Sequence, residues 1–147
     1  MEKNTRIACI RSAAREIVRI PELIRQKSSF INSISQLHVL IELDIHSVMN
    51  MGQLTTLLNL KKSTVSRLIG QLITRRICEM QRDKNDRRNK LISLTKKGKR
   101  IIAKINAEIN AQMQSALDLI DETERDSIVR GISTYAQALK ISRLKTE

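Results

Sequence analysis

Fourteen of the chain's 27 Lys and Arg side chains lie in residues 61–100, where Glu79, Asp83 and Asp86 are the only acids, a balance of +11. The remaining 107 residues carry 13 bases and 12 acids, a balance of +1. A charge that served solubility alone has no reason to gather in one block, whereas an electrostatic footprint for a polyanion does. Within the block, Lys61, Lys62, Lys84, Arg87, Lys90, Lys96 and Lys97 can each hold a phosphate. The chemistry implied is charge-assisted hydrogen bonding, with no covalent bond made or broken.

Covalent chemistry has little to work with. No Ser/His/Asp set, glycine-rich phosphate loop or carboxylate pair in an apolar setting is legible, so neither a catalytic residue nor a cofactor is expected. His38, Glu42 and His46 step by four, and His38 with Glu42 could share a metal. At ~1.5 Å per residue, however, His46 stands about 12 Å along a helix from His38. No cysteine or further histidine completes a tetrahedral set, so no metal is expected either. Cys9 and Cys78 are too few for a disulfide framework and lack the spacing of a metal pair. Phe30 and Tyr135 are the only aromatics. Single strands and RNA loops are usually held on stacking platforms, which this chain lacks, so duplex grooves and phosphates are left as the target.

A length of 147 residues suits one domain, or one domain with a dimerisation arm. With 41% hydrophobic and 29% charged residues the composition is globular. No stretch approaches the ~18 apolar residues of a spanning helix. The start, Met1-Glu2-Lys3-Asn4-Thr5-Arg6, has no apolar signal core, so a cytoplasmic location with no membrane partner is expected.

The elements that must carry the cations follow from periodicity. Ile7, Ile10, Ala14 and Ile17 mark a helical stripe that Pro21 should end or kink, unless Pro21 sits at the first turn of a short second helix over Glu22–Lys27. Ser33-Ile34-Ser35-Gln36 is a capping box opening a helix to about residue 45. A short helix over 51–58 follows, and Asn59 suits a left-handed turn residue. The next helix, 63 to about 75, places Val65, Leu68, Ile69 and Leu72 on one face and Ser63, Thr64, Ser66, Arg67 and Gln71 on the other. Two helices joined this closely, the second short-chained and basic on its free face, make a helix-turn-helix. Residues 77–81 and 90–94 read as two strands around the polar turn 82–89, a wing with a cationic tip. Gly70 should reflect a close helix contact. From Lys96 a helix of more than twenty residues carries Ile101, Ile105, Ile109 and Met113. After the capping signature at Asp121, a last helix directs Ile128, Val129, Ile132, Tyr135, Ala136 and Leu139 inward. Such long amphipathic helices have more apolar face than one small core covers, and a symmetric dimer would bury the surplus.

This order of elements resembles the MarR family of winged helix-turn-helix transcriptional regulators. The resemblance runs from about residue 33 to 98 and rests on four markers in sequence: Ser33-x-x-Gln36, Lys62-Ser63-Thr64-Val65-Ser66-Arg67-Leu68, Asp86-x-Arg88 and Leu94-Thr95-x-x-Gly98. It implies a mainly α fold: a winged helix-turn-helix with a two-stranded wing hairpin and long N- and C-terminal dimerisation helices. The expected divisions are 1–32, an N-terminal arm; 33–97, the DNA-binding lobe; and 98–147, dimerisation helices. It implies a homodimer on a pseudo-palindromic duplex, acting as a repressor, with one recognition helix per subunit in successive major grooves and a possible small-molecule effector in the crevice beside the lobe. Ser63, Thr64, Ser66 and Arg67 match positions that face bases and phosphates, and Arg88 matches the wing arginine of the minor groove. With Lys62, Gln71, Asp86 and Arg87 they make up the expected DNA-binding set, in which Asp86 would orient the Arg88 guanidinium.

Two positions depart from the family's pattern. Arg76 stands where glycine is common after the recognition helix, which bears on the wing's angle, and Met80 stands where arginine is common. Peroxide-sensing relatives carry a reactive cysteine near Cys9 with tyrosines beside it. This chain offers Tyr135 alone, so Cys9 reads as a buried, inert thiol and Cys78 as strand packing. A sequence-nonspecific architectural binder and a protein-interaction antiactivator that keeps the fold remain alternative functions. Replacing Arg88→Ala should weaken duplex binding with little loss of stability. Equal affinity of the folded variant and the wild type for a cognate duplex would refute the wing assignment.

Overall fold

The computed structural model describes residues 2–144, so Met1 and residues 145–147, the outermost parts of the two expected arms, lie outside it. The elements run α1 (Lys3–Lys27), α2 (Ile34–His46), β1 (Val48–Asn50), α3 (Met51–Leu58), α4 (Lys62–Thr74), β2 (Cys78–Arg82), β3 (Lys90–Leu94), α5 (Lys96–Asp118) and α6 (Glu122–Leu144). They divide into two compact units, with the boundary after Ile109, inside α5.

The first unit is built around side chains excluded from water on α2 (Leu37, Val39, Leu40, Leu43), α3 (Leu54) and α4 (Val65, Leu68, Ile69, Leu72). Ile77 and Ile92 from the sheet region and Ile102 and Ile105 of α5 complete that core. The four α4 residues are the apolar stripe expected from their spacing, so α4 is held by one face and its other face is free. Pro21 does not end the first helix: α1 runs through it as one 25-residue helix. Proline removes its own donor and disturbs one turn. Here Ile24 is buried and Ile20 is packed against the core, so the helix is anchored on both sides of the proline. Just beyond it, Arg25 pairs with Glu22 at 2.6 Å and reaches the Ile31 carbonyl at 3.4 Å. The Arg25 hydrogen bond holds the Glu22 carboxyl below the usual carboxylate range.

The cap of α2 is only half the expected box. Ser33 Oγ accepts from the Gln36 N–H at 3.2 Å, but Gln36 Oε1 reaches past Ser33 to the Asn32 N–H at 2.8 Å. A complete capping box opens α3 instead, where Asn50 and Gln53 each accept the other's N–H at 2.8 Å. Asn59 takes the expected left-handed conformation (φ 51°, ψ 46°) in the tight turn to α4.

The hairpin pairs β2 with β3 from Cys78↔Leu94 to Arg82↔Lys90. β1 adds a third antiparallel strand on the far edge of β3, giving the order β1-β3-β2. Three residues between two helices are too few to show an alternating period, so this strand had no signal in the sequence.

α4 ends in a Schellman motif. The Ile77 N–H returns to the Leu72 carbonyl (2.9 Å) and the Arg76 N–H to that of Ile73 (2.8 Å). Arg76 supplies the left-handed residue at φ 57°, so this non-glycine residue reproduces the turn that glycine makes easily. The strain is held by the start of α5. Thr95 Oγ1 donates towards the Arg76 and Ile77 carbonyls (2.7 and 3.0 Å) and accepts from the Gly98 N–H at 3.0 Å. A Cβ on Gly98 would come within 2.2 Å of the Ile77 carbonyl oxygen, which explains Leu94-Thr95-x-x-Gly98 as a clamp. Gly70 is the opposite case. A Cβ there meets nothing within 4 Å, so the close contact expected of it is absent.

α6 has no buried residue, and Val129, Ile132, Tyr135 and Leu139, expected to face inward, are exposed in the single chain. Its start is capped by Asp121, whose carboxylate accepts from the Thr123 hydroxyl and N–H at 2.6 and 2.9 Å and is thereby held below its ordinary pKa. No helix among the described residues is long and apolar enough to cross a membrane.

The two glycines should respond with opposite signs. Gly98→Ala should destabilise by about 1–3 kcal/mol, because the 76–77 loop must shift. Gly70→Ala should stabilise by about 1 kcal/mol through helix propensity. Urea unfolding at one fixed protein concentration would measure both.

Candidate nucleic-acid interface

Because Val65, Leu68, Ile69 and Leu72 point into the core, α4 turns Lys62, Ser63, Ser66, Arg67, Gly70 and Gln71 to solvent, with Thr64 half-buried. The surface thus formed is short-chained with one guanidinium near its middle, so another molecule can approach the helix closely. At its N-terminus, Lys61 offers no side-chain cap, and the Thr64 and Val65 N–H groups turn back to its carbonyl at 2.9 and 3.1 Å. The positive end of the helix dipole is therefore left beside Lys61 and Lys62.

The second group of cations sits on the β2–β3 tip, where Lys84, Arg87 and Arg88 are exposed. Asp86 shapes this tip, though not as expected. Its Oδ1 accepts from the backbone N–H of Arg88 at 3.0 Å, rather than from the guanidinium. A peptide N–H two residues on lies within the natural reach of an aspartate in a turn, while a long arginine side chain must be ordered to come back. Asp83 does the same for the Asn85 N–H at 2.9 Å, and the Asp83 N–H closes the tip on the Asn89 carbonyl at 2.9 Å. Arg88 is thus fixed at its backbone and free at its guanidinium.

Among the described residues, ion pairs engage Arg19, Arg25, His46 and Arg125, so no cation of residues 61–100 is neutralised by a carboxylate. The concentration of charge seen in the sequence is therefore also an uncompensated charge in space. The expected residues fall into two groups, on α4 and on the tip, with no hydrogen bond or ion pair between the groups. Met80, where the resemblance implies arginine, is half-buried against the core, so β2 uses that position for packing.

Several contacts had no signal in the sequence because they join residues far apart in it. Gln71 is tied to buried Gln36, whose Nε2 donates to Gln71 Oε1 at 2.9 Å. Arg75, at the C-cap of α4, donates to the Phe30 carbonyl at 2.8 Å and to Asn32 Oδ1 at 3.0 Å. Lys97, expected at a phosphate, instead donates to the Arg75 carbonyl at 3.0 Å and lies 5.2 Å from the centre of the Phe30 ring. Behind this pair opens a cavity of about 470 Å³ between the end of α1, the 28–30 linker and α5. Ile24, Phe30, Ile101 and Ile105 give it apolar walls, and Lys27, Lys97, Arg100 and Lys104 give it a basic rim with Glu108.

Elsewhere, Glu42 faces His46 at 3.6 Å rather than His38, and no group of three or more metal-ligating side chains occurs among the described residues. Cys9 is exposed in the chain, contrary to the buried thiol expected, because α1 packs on the core only at its C-terminal end around Ile20 and Ile24 and its N-terminal part is largely exposed. Cys78 is buried as expected, and burial pushes its thiol up to about 12, which leaves it unreactive.

Three solved structures share this architecture. FabT from Streptococcus pneumoniae, in complex with DNA, superposes with a TM-score of 0.83 at 22% identity over 95% of this chain and 98% of its own. A MarR family protein from Bacillus stearothermophilus gives 0.84 at 19% identity, covering 95% and 99%. Wild-type MarR from E. coli, in its apo form, gives 0.75 at 16%, covering 87% and 93%. At these identities the likeness establishes the fold. No match to the chain was found among curated proteins. The model of the MarR family matches residues 33–90, from the cap of α2 to the first residue of β3. The chain is thus similar to the MarR family over the lobe that holds α4 and the cationic tip, and it has the winged helix-turn-helix fold of the solved MarR proteins.

Proposed function

We propose that the chain is a homodimeric repressor that binds a pseudo-palindromic duplex operator. The observation that carries this reading is the free polar face of α4 standing with a cationic tip in a block of fourteen bases, none of them ion-paired. α4 enters the major groove. Ser63, Thr64, Ser66 and Arg67 meet bases and phosphates there, Lys62 holds the backbone, and Gln71 faces a base edge. Arg88 enters the minor groove, Arg87 takes a phosphate, and Asp86 fixes the turn from which both project. That the similar FabT was solved bound to DNA supports the assignment.

Homodimerisation is supported by apolar side chains left uncovered on the terminal helices: Ile7, Ile17 and Val18 on α1, and Val129, Ile132 and Leu139 on α6. The basic-rimmed cavity suits a small effector with an apolar body and one negative charge, and the bond from Lys97 to Arg75 joins that cavity to the end of α4.

Anisotropy of a duplex from the gene's own upstream region, beside a scrambled duplex at ~150 mM salt, should show a preference of about 10³ or more, the scale of specific recognition. Equal affinity for both across the upstream region would favour the architectural binder, and no binding to either at low salt would favour the antiactivator. For the effector, calorimetry with a panel of aliphatic and aromatic carboxylates should find one that binds the wild type and is lost on the double change Arg100→Ala and Lys104→Ala. Undiminished binding to that variant would place the effector elsewhere.

A further inference from the structure

Gln36 is the one buried polar side chain among the described residues, at 1% exposure, and both of its amide atoms are committed. Its Oε1 accepts from the Asn32 backbone N–H at 2.8 Å, and its Nε2 donates to Gln71 Oε1 at 2.9 Å. A peptide N–H can only donate, so the Gln36 amide has a single orientation. Its NH₂ must face Gln71, and Gln71 must therefore answer with its oxygen. With its oxygen turned to Gln36, the end of Gln71 directed outward from the free face of α4 is its NH₂, which meets no acceptor among the described residues.

We propose that Gln36 is a positioning residue that sets the hydrogen-bond polarity of Gln71, so that Gln71 turns its NH₂ rather than its oxygen to the major groove. A glutamine free to turn its amide over can pair with adenine through N6 and N7, or offer either end alone. Here turning it over would set two NH₂ groups against each other, one of them buried, and a buried donor left unmade is the expensive outcome. The locked Gln71 therefore selects a base edge that presents acceptors, such as guanine N7 and O6 or thymine O4, and disfavours the amino group of cytosine. This inference rests on the DNA-binding reading above and adds to it which chemical edge is read and what buried residue decides it.

The test is selection of bound duplexes from a library randomised over the half-sites, for wild type, Gln71→Glu, Gln36→Glu and Gln36→Met, with a thermal melt to show that each variant folds. Gln71→Glu keeps an oxygen for Gln36 but replaces the outward NH₂ by a second oxygen. At one base-pair position per half-site, the preference for an acceptor edge should fall by about tenfold or more, with cytosine gaining. Gln36→Glu offers only oxygens, so Gln71 must turn its amide over, and the same position should shift the same way although residue 36 lies in the core. Should the buried carboxylate prevent folding, Gln36→Met frees Gln71 to rotate, and that position alone should relax towards either edge. Uniform weakening by Gln71→Glu with no position-specific change overturns the proposal, as does a folded Gln36 variant that retains the wild-type preference. A wild type that selects no duplex overturns the DNA-binding reading itself, and is told apart from these outcomes because it needs no variant.

Discussion

The Ile77 carbonyl is the point at which α4, the hairpin and α5 are tied together. It accepts from the Thr95 N–H and hydroxyl, both at 3.0 Å, and its oxygen occupies the space a side chain on Gly98 would need. One residue earlier the backbone is left-handed at Arg76, and one residue later β2 begins. The direction in which the hairpin leaves α4 is therefore set by contacts to the first turn of α5. If that clamp were loosened, the free face of α4 and the cationic tip would both survive as local structures but lose their fixed relation. The chain manages with arginine where glycine would be easier because the Schellman bonds and Thr95 together hold the turn.

Against this fixed frame, the polar side chains around α4 divide by what they are bonded to. Arg67, Lys62 and the tip arginines have no carboxylate partner, whereas Arg75 is engaged inward with the Phe30 carbonyl and Asn32, and Lys97 with the Arg75 carbonyl. Lysines and arginines of similar sequence context thus serve unlike ends. Burial and partner, rather than residue type, distinguish a cation that holds the lobe together from one that is free to meet an anion.

Most of the fold was legible because most of it is periodic. The stripe Val65, Leu68, Ile69 and Leu72 located α4 and its buried face, and the polar turn 82–89 between two short runs located the hairpin. Along α1 and at β1, tertiary packing overrode a local rule. Pro21 did not break α1, because Ile20 and Ile24 hold both sides of it. β1 is stabilised by its register with β3, not by its own three residues. At the candidate site, residue types placed the free face of α4 and the exposed tip. Which partner each side chain takes was not legible. The Gln36–Gln71 bond spans 35 residues and the Arg75–Phe30 bond 45, and no spacing rule reaches that far. Asp86 shows the same limit at short range, since its charge suggested a guanidinium while the nearer backbone N–H took the bond.

The unpaired bases of residues 61–100 also act on the protein when nothing is bound. Like charges crowded into forty residues repel one another, and with only three carboxylates among fourteen bases and none of them ion-paired to those bases, the repulsion is relieved chiefly by mobile ions. At physiological ionic strength the screening length is about 8 Å, and in dilute buffer near 0.01 M it grows to roughly 30 Å. Added salt therefore eases the strain on the free fold while weakening its attraction for any polyanion. A dilute buffer, chosen to strengthen binding, is the medium in which the unbound lobe is held together least well.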